Sequence, residues 1–312
     1  MDYKDLRIVF MGTPEFAVAS LQKLLQAGCN IVGVITSPDK PAGRGMQLQE
    51  SAVKKFAQQQ GLLILQPEKL KSTSFLEMLQ SLNADLQVVV AFRMLPEVVW
   101  SLPAYGTINL HGSLLPQYRG AAPINWAIIN GEKFTGVTTF KLKHDIDTGN
   151  LLLSEKIEIQ DNDTAETLHN KMKEIGADLL LQTVMQLANA EISEVEQKEL
   201  PEKERKHAPK IFTTTCEINW NNVAHEIYNF IRGLSPMPGA YTYLDQKKVK
   251  IFVAEKEISN SIQKPGEYDT DNKTYLKYKC KDGYIKIVEL QMEGKKRMSV
   301  IDFLRGYKFS SS

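Results

Sequence analysis

Two polar side chains, Asn109 and His111, end an apolar run in the segment 108–116. Side chains two residues apart lie on the same face of a strand, so both are predicted to point to one side of a sheet. Ligands of open α/β sheets bind beyond the carboxyl ends of the strands, which is where this pair falls. Taken alone, the pair is better explained by polar groups that bond the loop after the strand.

A third polar side chain, Asp147, lies in the segment Asp145–Gly149, soon after the predicted strand Val137–Leu142. An Asp in a tight turn often only stabilises its own loop. Together with Asn109 and His111, however, it completes a set with a chemical use. The carboxylate can orient the imidazole, the imidazole can accept a proton, and the amide can donate to an oxyanion. This set predicts acyl or formyl transfer to an amine, which needs no metal and no covalent intermediate.

Other catalytic and binding motifs do not fit the sequence. The first strand–helix turn, Gly12–Ala17, has one glycine, a proline and Glu15, whereas a dinucleotide site needs G-x-G-x-x-G. Ser113 is not in a G-x-S-x-G motif, so no serine-hydrolase nucleophile is predicted. No metal site is predicted, because no H-x-x-x-H or Cys/His spacing occurs among His111, His144, His169, His207 and His225.

The elements that must position these residues are typical of an open α/β domain. The apolar run Leu6–Met11 is followed by a Gly-Thr-Pro turn, an amphipathic stretch and a second apolar run, Ile31–Ile35. This strand–helix–strand order predicts a right-handed crossover and a mostly parallel, Rossmann-like sheet. Four later runs predict further strands: Leu62–Leu65, Leu86–Phe92, Thr107–Leu110 and Val137–Leu142.

The domain boundary is predicted where the composition changes. A helix is expected to begin near Asp163, with Glu166 as its capping-box partner. A mixed-charge stretch over 191–209 then predicts a linker, which separates a catalytic domain (1–190) from a second domain (210–312). In the second domain a short helix precedes alternating strands, and Asp282-Gly283 predicts a two-residue hairpin turn. We expect a small antiparallel β-barrel.

Composition is that of an ordinary globular protein and hides an uneven charge distribution. The 312 residues are 43% hydrophobic and 24% charged, which excludes a collagen-like, disordered or disulfide-scaffold protein. The formal net charge is +1, but residues 207–312 contain 17 basic and 12 acidic side chains, against 21 and 25 in residues 1–206. The C-terminal third is therefore the part suited to a polyanion, which mildly favours nucleic acid.

The cysteine pattern and the lengths of the apolar runs indicate the cellular compartment in which the protein is expected. Cys29, Cys216 and Cys280 form no C-x-x-C pattern and are predicted to be thiols of a reducing compartment. Residues 1–5 are polar and acidic, unlike a secretory signal, and no apolar run approaches the ~20 residues that span a bilayer. We expect a cytoplasmic protein with no membrane partner, and a monomer as the default.

The segment Asn109–Pro116, followed by Tyr118–Ile124, resembles the signature of folate-dependent formyltransferases. Asp145–Gly149 resembles the second catalytic segment of that family. The resemblance implies that 10-formyltetrahydrofolate is the formyl donor. It also implies a catalytic trio, Asn109, His111 and Asp147.

The segment Val88–Pro96 resembles the loop by which these enzymes hold the pterin of folate, largely through backbone groups. The residues that the resemblance implies for folate binding are Phe92, Arg93, Met94, Leu95 and Pro96, together with Ser113, Leu114, Leu115 and Pro116 of the signature.

The segment Ser37–Gly45 resembles a loop of the methionyl-tRNA formyltransferase branch, which enters the acceptor-stem groove of the tRNA, and Arg44 matches its key arginine. Glycines on both sides of Arg44 leave a flexible backbone around one guanidinium, which suits phosphate or base contacts. The segment Met46–Glu50 lacks the lysines often found there. The implied partner is initiator methionyl-tRNA.

In that branch the second domain is an OB-like barrel that grips the tRNA. Its basic composition here predicts contact with RNA backbone rather than with bases. A lysine row on an edge strand also protects against edge-to-edge aggregation, and both interpretations stay open for single lysines. The candidates are Lys247, Lys248, Lys250, Lys277, Lys279 and Lys281.

The resulting hypothesis is formylation of the α-amino group of initiator methionyl-tRNA, for translation initiation. One alternative is a folate-dependent formyltransferase that acts on a small amine, such as an amino-sugar nucleotide or a glycinamide ribonucleotide. The other is a non-catalytic RNA-binding protein, which would not require the polar trio.

Overall fold

The computed structural model describes residues 2–42, 47–259 and 263–309. Its internal contacts divide the chain into two units, and two short pieces of the N-terminal sequence group with the second. The first unit comprises Met1–Gly120, Gly136–Ile157 and His169–Lys206; the second comprises Ala121–Thr135, Glu158–Leu168 and His207–Ser312. The predicted boundaries at 190 and 210 stay a prediction.

A seven-stranded sheet is built from the apolar runs of the N-terminal sequence. The strands of this part of the chain are β1 (Arg7–Gly12), β2 (Asn30–Ile35), β3 (Lys40–Ala42), β4 (Gln47–Gln49), β5 (Ile64–Leu65), β6 (Leu86–Val90), β7 (Thr107–His111), β8 (Arg119–Gly120), β9 (Phe134–Lys141) and β10 (Leu151–Glu158). The sheet has the order β10-β9-β7-β6-β1-β2-β5. Neighbours from β5 to β7 pair in parallel, and β9 is antiparallel to β7. The predicted mostly parallel, Rossmann-like sheet is confirmed.

Six helices connect or flank these strands: α1 (Glu15–Gln26), α2 (Ala52–Gln59), α3 (Thr73–Ser81), α4 (Glu97–Trp100), α5 (Pro123–Ile129) and α6 (Ala165–Ala188). None of the helices in the described ranges is both long and apolar enough to cross a membrane. The cap of α6 differs from the prediction. Thr164 and Thr167 bond each other's amides through their hydroxyls, and Asp163 accepts from the Thr167 hydroxyl, so Glu166 has no part in the capping box.

The second unit is built around an antiparallel sheet. Its remaining elements are β11 (His207–Ala208), α7 (Ala224–Gly233), β12 (Ala240–Leu244), β13 (Lys247–Ile258), β14 (Tyr268–Thr270), β15 (Leu276–Cys280), β16 (Gly283–Met292), β17 (Met298–Ser299) and α8 (Val300–Gly306). The sheet has the order β12-β13-β16-β15-β14, and β17 also pairs with β16. Irregular register between Ile251 and Ala254 bends β13, which lets the sheet curl, and leaves Val253 on the exposed side. The predicted OB-like domain is confirmed.

The hairpin between β15 and β16 turns one residue earlier than predicted. Cys280 pairs with Gly283, so Lys281 and Asp282 form the turn. The glycine has a different task from the predicted one, because a methyl group at Gly283 would overlap the carbonyl oxygen of Glu257 on β13. Gly283 therefore permits close approach of two strands.

The three cysteines are buried and unpaired. Burial raises the pKa of the Cys29 thiol to about 11 and also raises the pKa values of Cys216 and Cys280. These thiols are therefore parts of the core rather than reactive groups.

We expect Gly283→Ala to lower the free energy of unfolding of the second unit by about 1–3 kcal/mol, because the added methyl group meets backbone that cannot move aside. Differential scanning calorimetry measures this loss. Gly306→Ala is the matched control, since nothing lies within 4 Å of a methyl group there. Equal melting of both variants would contradict this account of Gly283.

Candidate active site

The strand β7 carries both Asn109 and His111. It pairs with β6 on one side and β9 on the other, where Asn109 lies opposite Phe140 and His111 lies opposite Thr138. The imidazole is 6% exposed and meets the Phe140 ring edge-on, with 6.5 Å between ring centroids. The two neighbouring strands and the Phe140 ring therefore hold His111 in a buried position.

One hydrogen bond determines which nitrogen of His111 is protonated. Its Nε2 lies 2.9 Å from the carbonyl oxygen of Tyr118. A carbonyl oxygen only accepts, so Nε2 carries the hydrogen and donates it. In the neutral ring Nδ1 is then the unprotonated nitrogen, with a free lone pair. Nδ1 is therefore the ring nitrogen that can accept a proton.

The carboxylate of Asp147 faces that nitrogen without a hydrogen bond to it. Its Oδ2 lies 3.8 Å from Nδ1, an ion-pair distance that is too long for a hydrogen bond. The same Oδ2 accepts the backbone N–H of Gly120 at 2.9 Å, and the side chains of His111 and Asp147 are 7% and 11% exposed. The ring is thus oriented by Tyr118, whereas Asp147 is placed to stabilise positive charge on the ring.

The amide of Asn109 has no partner within the described residues, and its Oδ1 is buried. Buried polar atoms without hydrogen bonds are rare in folded proteins and need an explanation. Here the explanation that fits is a ligand, because the buried Oδ1 can accept a hydrogen bond from one and the Nδ2 of the same amide can donate to an oxyanion.

The predicted folate residues of the signature have mixed surroundings. Ser113 is fully buried, and its hydroxyl donates to the carbonyl oxygen of Gln117 at 2.6 Å. The Thr138 hydroxyl accepts from the amide of Leu115 and donates to the carbonyl oxygen of Ser113. Ser113 and Leu115 therefore shape the loop, whereas Leu114 and Pro116 are half-buried.

The predicted pterin loop offers unpaired backbone groups. Among the described residues, none bonds the backbone N–H or C=O groups of Phe92–Leu95. Leu95 is buried and Met94 is 76% exposed. The Arg93 guanidinium is already engaged, because it donates to the carbonyl oxygens of Pro67 and Glu68. Free donors and acceptors along an extended segment suit a flat heterocycle.

Gln197 is a residue of the site that the sequence analysis missed, because it lies in the predicted linker. Its carboxamide is 7% exposed and bonds the carbonyl oxygens of Asp147 and Gly149 as well as the guanidinium of Arg119. Burial lowers the pKa of Arg119, and the nearby Arg205 acts in the same direction. Polar side chains in a charged stretch give no signal that one of them is buried.

The predicted RNA-binding lysines are not equally available. Lys277 forms ion pairs with Glu257 at 3.3 Å and Asp269 at 3.7 Å. Lys279 is only 4% exposed, and its Nζ lies 5.3 Å from the centroid of Tyr284. Moreover, β15 lies between β14 and β16, so this row is not on an edge strand.

Two lysines of β13 also have internal contacts. Lys248 Nζ lies 4.0 Å above the Tyr241 ring, and Lys250 Nζ donates to the carbonyl oxygen of Pro238. The exposed members of the set are Lys247 and Lys281. Arg44 lies outside the described residues. Within those residues no three His, Cys, Asp or Glu side chains are close enough to hold a metal ion.

Comparison with known proteins places these features in a family. The formyl transferase family model matches residues 6–184, and the model for the formyl transferase C-terminal domain matches residues 210–308. The methionyl-tRNA formyltransferase of Parabacteroides distasonis is 53% identical over 316 residues, which cover 99% of this chain and 98% of that protein. The enzyme of the same name from Phocaeicola vulgatus is 54% identical over 320 residues, with 100% and 99% coverage.

Solved structures share the fold at low identity. A sugar 3N-formyl transferase, WlaRD, crystallised with dTDP and 5-N-formyl-THF, superposes with a TM-score of 0.66 at 21% identity, over 93% of this chain and 99% of that one. HypX from Aquifex aeolicus, in complex with tetrahydrofolic acid, gives a TM-score of 0.65 at 18% identity. That match covers 98% of this chain, which spans about half of HypX (48%).

We expect nitrogen-detected NMR in mildly alkaline buffer to show His111 as the Nε2–H tautomer, because its bond to Tyr118 requires a hydrogen there. The signal is assigned by its loss in His111→Gln. The exposed His207, whose imidazole has no hydrogen-bond partner among the described residues, provides a control with a mixture of tautomers. A dominant Nδ1–H form at His111 would show that the base has been assigned to the wrong atom.

Proposed function

The chain belongs to the methionyl-tRNA formyltransferase family, and from this premise we propose that it transfers a formyl group from 10-formyltetrahydrofolate to the α-amino group of initiator methionyl-tRNA. The observation that carries the proposal is the buried His111, whose free Nδ1 faces Asp147 while the unpaired amide of Asn109 shares its strand. Monomeric state and a cytoplasmic location remain predictions.

The residues present fit a folate donor. The unpaired backbone groups of Phe92–Leu95 would hold its heterocycle, and the unpartnered amide of Asn109 would meet the oxygen of its formyl group. When bound, the donor supplies the formyl carbon, whose bond to the donor nitrogen breaks as the bond to the acceptor amine forms.

Each member of the trio then has one task. Nδ1 of His111 takes the proton that the attacking amine loses and would return it to the donor nitrogen when the bond from that nitrogen to the formyl carbon breaks. The Asn109 amide donates to the carbonyl oxygen on which negative charge develops. Asp147 lies 3.8 Å from Nδ1 and stabilises the imidazolium once it has formed. All three side chains act in a largely water-excluded site, where such interactions are strong.

We also propose that the second unit binds the tRNA through its backbone phosphates. Lys247 and Lys281 are exposed, and both belong to residues 207–312, which contain 17 basic and 12 acidic side chains. Lys277 and Lys279 are already engaged with groups of their own unit, so their share in RNA binding is expected to be small. Arg44 is proposed as the contact to the acceptor stem on the strength of its sequence match.

Alanine substitution of the trio tests the chemistry. We expect Asn109→Ala to lower turnover about 10²–10³-fold, as loss of an oxyanion donor does. His111→Ala and Asp147→Ala are expected to lower it by roughly 10²–10⁴-fold, the first because the base is lost and the second because the imidazolium loses its stabilising carboxylate. Single-turnover formylation of charged initiator tRNA measures these rates. Asn109→Ala should also melt like the wild type, since the amide makes no internal hydrogen bond.

The controls separate chemistry from binding and from the alternative functions. His144→Ala removes an exposed imidazole near the same turn and is expected to leave the rate unchanged. All variants should keep wild-type affinity for the tRNA. Wild-type rates in all three trio variants would refute the site assignment. Faster transfer to a small amine, or no transfer at all, would instead support a small-amine enzyme or an RNA-binding protein.

Salt dependence tests the proposed RNA surface. We expect Lys247→Gln and Lys281→Gln each to weaken tRNA binding and to reduce the slope of log affinity against log salt by about 1, because each removes one phosphate contact. Filter binding over a salt series measures both. Lys71→Gln makes the same charge change at an exposed position of the first unit. Slopes equal to that control would contradict the proposed surface.

A further inference from the structure

We propose that Gln197 is a positioning residue for Asp147, an inference that rests on the proposed role of that carboxylate. Gln197 lies in a stretch in which most residues are charged, yet it is only 7% exposed. Its neighbours Glu196 and Lys198 are both exposed. A single buried amide in an otherwise solvated segment indicates a specific internal task.

The carboxamide of Gln197 uses both of its ends. Nε2 donates to the carbonyl oxygen of Asp147 at 2.9 Å and to that of Gly149 at 2.8 Å. Oε1 accepts from Nε and Nη2 of Arg119, at 3.2 and 2.6 Å. Since a guanidinium only donates and a carbonyl only accepts, the orientation of the amide is determined by its partners.

Asp147 needs such support because of its backbone. Its φ is +54°, in the left-handed region that residues with a side chain rarely adopt. Surrounding structure must hold a residue in that conformation. Gln197 grips the carbonyl of Asp147, and Gly120 N–H grips its carboxylate. No other side chain in the described ranges bonds the backbone of Asp147.

The contacts close into a ring. Arg119 precedes Gly120 in the chain, so the segment that bonds the carboxylate of Asp147 also bonds the amide that holds its backbone. The same segment begins at Tyr118, which orients His111. Displacement of Gln197 would therefore loosen Asp147 relative to the imidazole that it serves.

The stretch around Gln197 is itself anchored. Val195 and Leu151 exchange two backbone hydrogen bonds, at 2.7 and 2.9 Å. Glu194 accepts from the amide of Asn150 at 2.9 Å. The pairing of Val195 with Leu151, which follows the turn that contains Asp147, therefore holds Gln197 close to Asp147.

Two substitutions test the role in different ways. Gln197→Met removes all four hydrogen bonds at similar volume. Gln197→Glu keeps an acceptor for Arg119 but brings a carboxylate oxygen against two carbonyl oxygens, so it also serves if Gln197→Met fails to fold. We expect each to lower kcat for methionyl-tRNA formylation about 10²-fold, the effect of a small misplacement of a reacting group, with KM for both substrates unchanged. Glu196→Gln and Lys198→Gln are the matched controls and should keep the wild-type kcat.

A double-mutant cycle distinguishes positioning from general stability. Once Asp147→Asn has removed the carboxylate, we expect Gln197→Met to have no further effect on kcat, because the two changes act through the same group. Hydrogen exchange should also quicken at residues 147–151 in Gln197→Met alone. Full additivity of the two substitutions, or a wild-type kcat in both Gln197 variants, would overturn the proposal. Absence of formylation by the wild-type enzyme would refute the proposed function instead.

Discussion

The hydrogen bond from Nε2 of His111 to the carbonyl oxygen of Tyr118 is the interaction on which the site depends. It determines the tautomer of the imidazole and leaves Nδ1 as the nitrogen that can accept a proton, the role proposed for it. The bond can form because the chain turns back after β7, with Tyr118 in the left-handed region at a φ of +58°. Two residues later, the amide of Gly120 holds the carboxylate of Asp147. The segment 118–120 therefore determines which nitrogen of His111 is protonated. It also determines the position of the carboxylate that faces the other ring nitrogen.

The gap of 3.8 Å between Oδ2 of Asp147 and Nδ1 of His111 agrees with that tautomer. A neutral Nδ1 has no hydrogen to offer, so a carboxylate cannot bond to it. In the proposed reaction Nδ1 takes a proton and the ring becomes a cation that faces a carboxylate, where the attraction is strong because both groups are largely buried. The interaction is thus weak in the resting site and strong when charge has moved. Interactions of that kind lower the barrier rather than merely tighten substrate binding.

The sequence predicts those features that a repeating backbone geometry determines. Alternation along an extended strand places Asn109 and His111 on one face, and β7 ends at His111 as expected. The orienting group of Tyr118 is a main-chain carbonyl, which no residue type signals. The sequence also gives no indication that Gln197 is buried, because its polarity and its charged neighbours predict exposure. The sequence correctly indicates that a glycine is needed at position 283, but it does not give the reason. A turn and a close approach of two strands both require glycine.

The net charge of a segment is a poor measure of how strongly its surface attracts an anion. Residues 207–312 owe part of their positive surplus to Lys277 and Lys279, yet the first is neutralised by Glu257 and Asp269 and the second is 4% exposed. Such lysines stabilise β15 and add little to the field outside. A phosphate responds to charges that solvent also reaches, because a buried ion pair is almost neutral at a distance. The affinity of this unit for RNA is therefore expected to follow the exposed lysines rather than the sum of charges over the segment.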